Sequence, residues 1–150
     1  MVEKRRGLRV LCALDVAEST ACLGGLDANG QPLEVEIDES CFTKRKFNRG
    51  RLRNMKWVFG AYERLSGRCF LVPILNRTAE TLINIIRSRI LPGSRIISDG
   101  WAAYRGIQIL GIYTHDVIVH AMNFVSLHDP TIHTQIIEST WAHAKKKLKN

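Results

Sequence analysis

From residue 33 onward the chain changes its hydrophobic period several times, and each change marks an element. Val35 and Ile37 alternate with Glu34, Glu36 and Asp38, the period-two pattern of a half-buried strand that ends on carboxylates. Residues 57–63 and 68–74 read as two more strands, the second ending near Pro73. The short stretch 64–67 between them predicts an antiparallel hairpin, and the three strands together predict a meander. The period then lengthens. Ala79, Leu82, Ile83, Ile86 and Ile90 fall on one face of a helix that Thr78 can cap and that Leu91, Pro92 and Gly93 stop. Residues 95–98 form a short buried strand that delivers Asp99 at its end. Residues 100–104 predict a short helix, 116–120 a fifth strand and 121–131 a loop. Ile137, Trp141, Ala144 and Leu148 stripe a final helix, with Glu138, Lys145 and Lys149 along its flank.

Residues 1–32 carry little pattern: a short strand-like run at 8–14, then turn signals at Gly24, Gly25 and Gly30. They are expected to form a poorly defined N-terminal segment ahead of one domain over residues 33–150. A chain of 150 residues is long enough for a single domain with a sizeable core.

Charge changes the picture more than composition does. The net charge is +8 and the isoelectric point is near 9.7, which favours an anionic partner such as nucleic acid. Seven of the basic residues crowd into residues 41–56 with no acid among them: Lys44, Arg45, Lys46, Arg49, Arg51, Arg53 and Lys56. Phe42 and Phe47 interleave with this run. By itself the stretch also fits a solvated edge strand followed by a charged loop. The four cysteines make no C-x-x-C pair, so neither a zinc ribbon nor a disulfide framework is expected. No apolar run approaches a membrane span, and the run at 10–14 breaks at Asp15 before it can serve as a signal peptide. An intracellular protein is expected, nuclear in a eukaryotic host and cytoplasmic otherwise.

Three acids stand where a shared site could form: Asp38 and Asp99 at two strand ends, and Glu138 early in the last helix. Carboxylates that converge repel one another unless cations neutralise them. A pair of Mg²⁺ or Mn²⁺ ions suits such a set and can activate an attacking oxygen while stabilising a departing one at a phosphodiester. Each acid also has a plain structural reading, Asp99 before Gly100 as a turn cap above all. The five histidines, all beyond residue 114, lack cysteine partners and read as loop and surface residues rather than a zinc site. Trp101 and Trp141 read as core anchors. The lysines at the end of the last helix suit its macrodipole, and Lys145, on the flank of Glu138, is the one expected to touch phosphate.

Several blocks are similar, in order, to the ISXO-type insertion-sequence transposases, whose eukaryotic relatives are the Merlin transposons. They are residues 35–40 around Asp38, the basic block 44–51, 57–60, 70–73, 96–104 around Asp99 and 133–141 around Glu138. The resemblance implies an α/β fold of the ribonuclease H-like, retroviral-integrase type, a mixed sheet with flanking helices. It also implies a DDE triad of Asp38, Asp99 and Glu138 that cuts DNA and transfers strands with two Mg²⁺ or Mn²⁺ ions. Asp38 would bridge the ions, while Asp99 and Glu138 would each hold one. The implied partners are transposon ends and target DNA, met by Lys44, Arg45, Lys46, Arg49, Arg51, Arg53 and Lys145, with a second copy of the chain as a further candidate and no membrane. Some relatives carry an amide residue three positions before the glutamate. Gln135 stands there, and with Asn123 and His120 it is a candidate supporting residue.

The chain departs from that pattern at both ends. No zinc ribbon or helix-turn-helix precedes the domain, and it stops twelve residues after Glu138, so a catalytic domain shortened at its C-terminus is expected. Two alternatives stay open: a DNA-binding remnant without catalysis, and a ribonuclease H-like nuclease that never transposes. The catalytic reading makes a geometric demand. The Asp99 strand must return to lie beside the Asp38 strand, with the 79–90 helix as the crossover.

Overall fold

The computed structural model describes residues 22–42, 56–118 and 134–147. Strand β1 (Leu23–Gly24) is followed by β2 (Glu34–Phe42), β3 (Lys56–Glu63) and β4 (Cys69–Ile74). Helix α1 (Ala79–Arg89) leads into β5 (Ile90–Leu91) and β6 (Arg95–Asp99). A 3₁₀ turn at Ala102–Arg105 runs into a single-turn helix α2 (Gly106–Ile109), then β7 (Thr114–Ile118) and helix α3 (Gln135–Lys147).

Five strands make one mixed sheet in the order β4-β3-β2-β6-β7. The β2–β3 pair is antiparallel, so is β3–β4, as the short 64–67 connection requires, and β2–β6 and β6–β7 are parallel. The meander and the returning Asp99 strand are both present, and this is the α/β architecture that the sequence predicts.

The two sheet faces bury different material. Val35, Ile37, Phe59, Ala61, Phe70 and Ile96 pack with Leu82 and Ile86 of α1 and with Tyr104 and Ile107, forming the larger core. On the other face Tyr62 and Leu71 pack with Ile137, Trp141 and Ala144 of α3. Because strand side chains alternate, β2 feeds both: Val35, Ile37 and Glu39 point to α1, Glu36 and Asp38 to α3. The period-two pattern of β2 therefore reflects two dissimilar covers and not one wet face, and Glu36 is wholly buried.

Thr78 caps α1 as expected, its hydroxyl accepting from Thr81 N. The helix ends at Arg89, earlier than its apolar stripe suggests, because Ile90 and Leu91 pair in parallel with Leu23 and Gly24. This two-residue ribbon ties the segment before β2 into the fold. Gly24 N donates to Glu63 Oε2 at 2.7 Å. Gly24 has φ 80°, and a Cβ on it would stand 2.0 Å from Ser94 Oγ, so glycine is required on two counts. Strand β7 starts two residues ahead of the predicted 116–120. The strand-like run at 8–14, the basic residues of 43–55 and the loop at 121–131 lie outside the described residues, as do His120, Asn123 and Leu148. No helix among the described residues is long and apolar enough to cross a membrane.

Candidate active site

The parallel register of β2 on β6 pairs Glu34 with Arg95, Val35 with Ile96 and Glu36 with Ile97. Two steps further along both strands, the same register sets Asp38 level with Asp99. Both side chains point to the α3 face, since each lies an even number of residues from the paired Glu36 and Ile97. Arg95 fixes this alignment at the strand starts: its Nη1 donates to Glu34 Oε1 at 2.8 Å and its Nε to Asp116 Oδ2 at 2.5 Å, a bridge across β2, β6 and β7.

Burial pushes the Asp38 carboxyl up to about 7 from its ordinary 3.8, and the charges of Glu39 and Asp99 add to the rise. Two donors work against it: Trp141 Nε1, which donates to Asp38 Oδ2 at 2.9 Å, and less strongly the Glu39 backbone N–H. The ring reaches that oxygen through a gap in the sheet. Gly60 is the β3 partner of Asp38, and a Cβ there would stand 2.6 Å from the Trp141 ring. Phe42 closes the other side edge-on, with ring centroids 5.8 Å apart. Asp99 is held through one oxygen, Oδ1 accepting from Trp101 N at 2.9 Å. The turn-cap role and a place beside Asp38 thus coexist in one side chain.

The other described acids of the sheet are treated differently. Glu34 and Glu36 share Arg64, and Glu39 takes Arg77. Glu63 meets Arg68, and Asp116 meets Arg95. Among the described residues, Asp38 and Asp99 have no lysine or arginine within ion-pair distance.

Glu36 is the residue that sequence reasoning passed over. Its Oε2 accepts from Ile136 N at 3.1 Å and Ile137 N at 2.9 Å, and its Oε1 accepts from Arg64 Nε at 2.8 Å. A buried carboxylate thus satisfies the open N–H groups of α3's first turn. Glu36 and Asp38, neighbours on one strand face, hold α3 at two points. The signal in the sequence was the pair of acids two residues apart on a strand that a helix must cover.

Glu138 lies on α3 between those two points, one turn before Trp141 and half-buried. Thr134 Oγ1 donates to its Oε1 at 2.9 Å. Among the described residues no three carboxylate, imidazole or thiolate side chains stand close enough together to hold one metal ion. The structure therefore brings Asp38 and Asp99 together and leaves Glu138 on the adjoining helix, bonded to Thr134. Gln135 opens α3 and is exposed. Lys145 is half-buried, its Nζ 5.4 Å above the Phe42 ring at the end of β2. Trp141 is the core anchor the sequence predicts, at 5% exposed. Trp101 is not: at 40% it is exposed, because it follows the strand end and does not sit within the sheet.

The ISXO2-like transposase domain family matches residues 23–150. The chain belongs to that family. The match begins at β1, so the Leu23–Gly24 ribbon falls within the transposase domain, and the mixed sheet with its helices is the ribonuclease H-like fold of such domains. No curated protein matches the chain.

Asp38 and Asp99 fit a hard divalent cation. Two half-buried carboxylates level with one another on neighbouring strands, with no lysine or arginine among the described residues in ion-pair range, are the donor chemistry that Mg²⁺ or Mn²⁺ takes.

Proposed function

We propose that this transposase domain cuts DNA and joins the freed end to target DNA, with divalent metal at Asp38 and Asp99. The observation that carries the reading is the register-matched, cation-free pair of aspartates, in a sheet whose other described acids are each met by an arginine. Bound Mg²⁺ or Mn²⁺ would activate the attacking oxygen and stabilise the departing one. Trp141 orients Asp38 through Oδ2 and Trp101 N orients Asp99 through Oδ1, and these two carboxylates would hold the metal. Glu138 supplies the third carboxylate once it leaves Thr134, and Gln135 stands at the start of the same helix. Lys44, Arg45, Lys46, Arg49, Arg51 and Arg53 would follow the DNA backbone, with Lys145 on a phosphate at the end of β2. Such contacts make binding fall steeply as salt rises.

The test is nicking of supercoiled plasmid in Mg²⁺ or Mn²⁺ by the parent and Asp38→Asn. Metal-dependent nicking by the parent alone is expected; equal nicking by both removes the assignment. The hydrogen bond from Thr134 to Glu138 favours a second reading, a DNA-binding domain without cleavage. It predicts salt-sensitive DNA binding and no nicking in either metal. A nuclease that never transposes would nick but leave no joined product.

A further inference from the structure

At the same end of the sheet as the two aspartates, but on the α1 face where Glu39 points, is an aromatic stack that the cleavage chemistry does not use. The Arg77 guanidinium carbon lies 4.2 Å from the Trp57 ring centroid and 4.3 Å from that of Trp101. The one guanidinium thus lies over two indole rings, and each contact is favourable for a planar cation. Arg77 cannot swing away. Its Nε and Nη2 donate to Glu39 Oε1 at 3.0 and 2.6 Å, and the other oxygen of Glu39 accepts from the Tyr104 hydroxyl. Glu39 is 8% exposed and Tyr104 1%, so the stack is anchored in the core.

Its outer member is open. Trp101 has one ring face against Arg77 and is still 40% exposed. Its backbone N–H holds Asp99 Oδ1, which fixes the ring's origin two residues beyond that carboxylate. The inner member, Trp57, directly follows the basic run that ends at Lys56. Trp101, a flat apolar ring two residues beyond Asp99 and held on an Arg77 that also stacks on Trp57, has the form of a platform for a planar ligand. Phosphate is a poor occupant, because Glu39 already neutralises Arg77.

We infer that Trp101 is a stacking site for an unpaired nucleobase of the DNA strand at the candidate active site; this rests on the proposed DNA chemistry. Within a duplex both faces of a base are taken by its neighbours, so only a single-stranded or terminal base can offer one. Stacking on an aromatic side chain tolerates any base and contributes about 1–3 kcal/mol. Because Arg77, Trp57 and Glu39 fix the ring before the strand arrives, little ordering cost is set against that gain.

The test uses the full chain with a single-stranded oligonucleotide carrying 2-aminopurine and with a duplex of the same sequence, at one salt concentration. The parent is expected to quench 2-aminopurine in the single strand. Trp101→Ala should lose the quenching and bind the single strand about 5- to 150-fold more weakly, while duplex binding stays as in the parent. Trp101→Phe should quench and bind within about threefold of the parent, since a smaller ring still stacks. If Trp101→Ala quenches and binds the single strand as the parent does, the stacking site is wrong and the proposed function stands. Equal weakening on single strand and duplex also overturns it, showing that Trp101 serves the fold. A parent that binds neither form overturns both readings.

Discussion

On the α1 side of the sheet, β2 presents Val35, Ile37 and Glu39; on the α3 side, Glu36 and Asp38. The first set enters a core of aliphatic and aromatic side chains, and its single carboxylate is met by Arg77 and Tyr104. The second set meets a smaller apolar cluster and carries charge into it. Glu36 is neutralised by Arg64 and by two helix N–H groups, while Asp38 accepts from an indole N–H and the Glu39 backbone, has no described lysine or arginine in ion-pair range, and lies beside the charge of Asp99. Burying a charge without a counter-charge is costly. The α1 face and Glu36 avoid that cost, and the place where it remains is the place where a cation would relieve it.

Four variants separate the two faces. The largest effect is expected for Asp38→Asn, which should bring metal-dependent nicking down to background while the far-ultraviolet circular dichroism stays that of the parent. Next comes Glu36→Ala, which removes one of the two carboxylates on Arg64 and opens the start of α3. Breaking a buried ion pair costs about 3–5 kcal/mol; Arg64 keeps Glu34, so the lower end is expected in urea unfolding, with weaker Mn²⁺ binding by calorimetry.

Leu82→Ala empties part of the α1 core and should cost about 2–5 kcal/mol. Mn²⁺ affinity in the folded protein should not change, because no acid of the site touches that face. An affinity loss equal to that of Glu36→Ala would erase the distinction between the faces. Gly60→Ala drives a methyl group into the Trp141 ring. It should cost about 1–3 kcal/mol by overpacking and shift Trp141 off Asp38, which shows as a change in indole fluorescence that Leu82→Ala lacks.

The remaining prediction is a pH dependence. Folding raises the Asp38 carboxyl from 3.8 to about 7, so between those values the folded state holds a proton that the unfolded state has lost. The stability tied to that proton is complete below pH 4 and disappears as the pH rises through 7. In chelator, the parent should lose stability over that window, and Asp38→Asn should lose less.

The strands and helices of the main sheet were legible because each carries its period long enough to read: β2, the β3–β4 hairpin, α1 and α3. The β1–β5 ribbon was not, since two residues per strand make no period and the pairing joins positions 67 apart, as with Leu23 and Ile90. Asp38 and Asp99 were legible as strand-end acids. The burial of Glu36 was not, because alternation tells which residues share a face and not what lies over it. Nor could the sequence tell Trp101 from Trp141; one follows a strand end and the other sits inside an apolar stripe whose opposing strand has a glycine.

The bridge made by Arg95 has a consequence for how such a chain can change over generations. It ties the starts of β2 and β6 to the middle of β7, and from there four residues lead to Asp38 and four to Asp99. Slipping either strand by one residue would turn its aspartate to the opposite face. Insertions in the turn at 64–67 or the link at 75–78 would lengthen the path between the aspartates at little energetic cost, since loop closure depends only weakly on length. Drift in the total spacing is therefore tolerable, whereas a single deletion inside either four-residue count is not. A search for distant kin should hold those two short counts fixed and let the sixty residues between Asp38 and Asp99 vary in number.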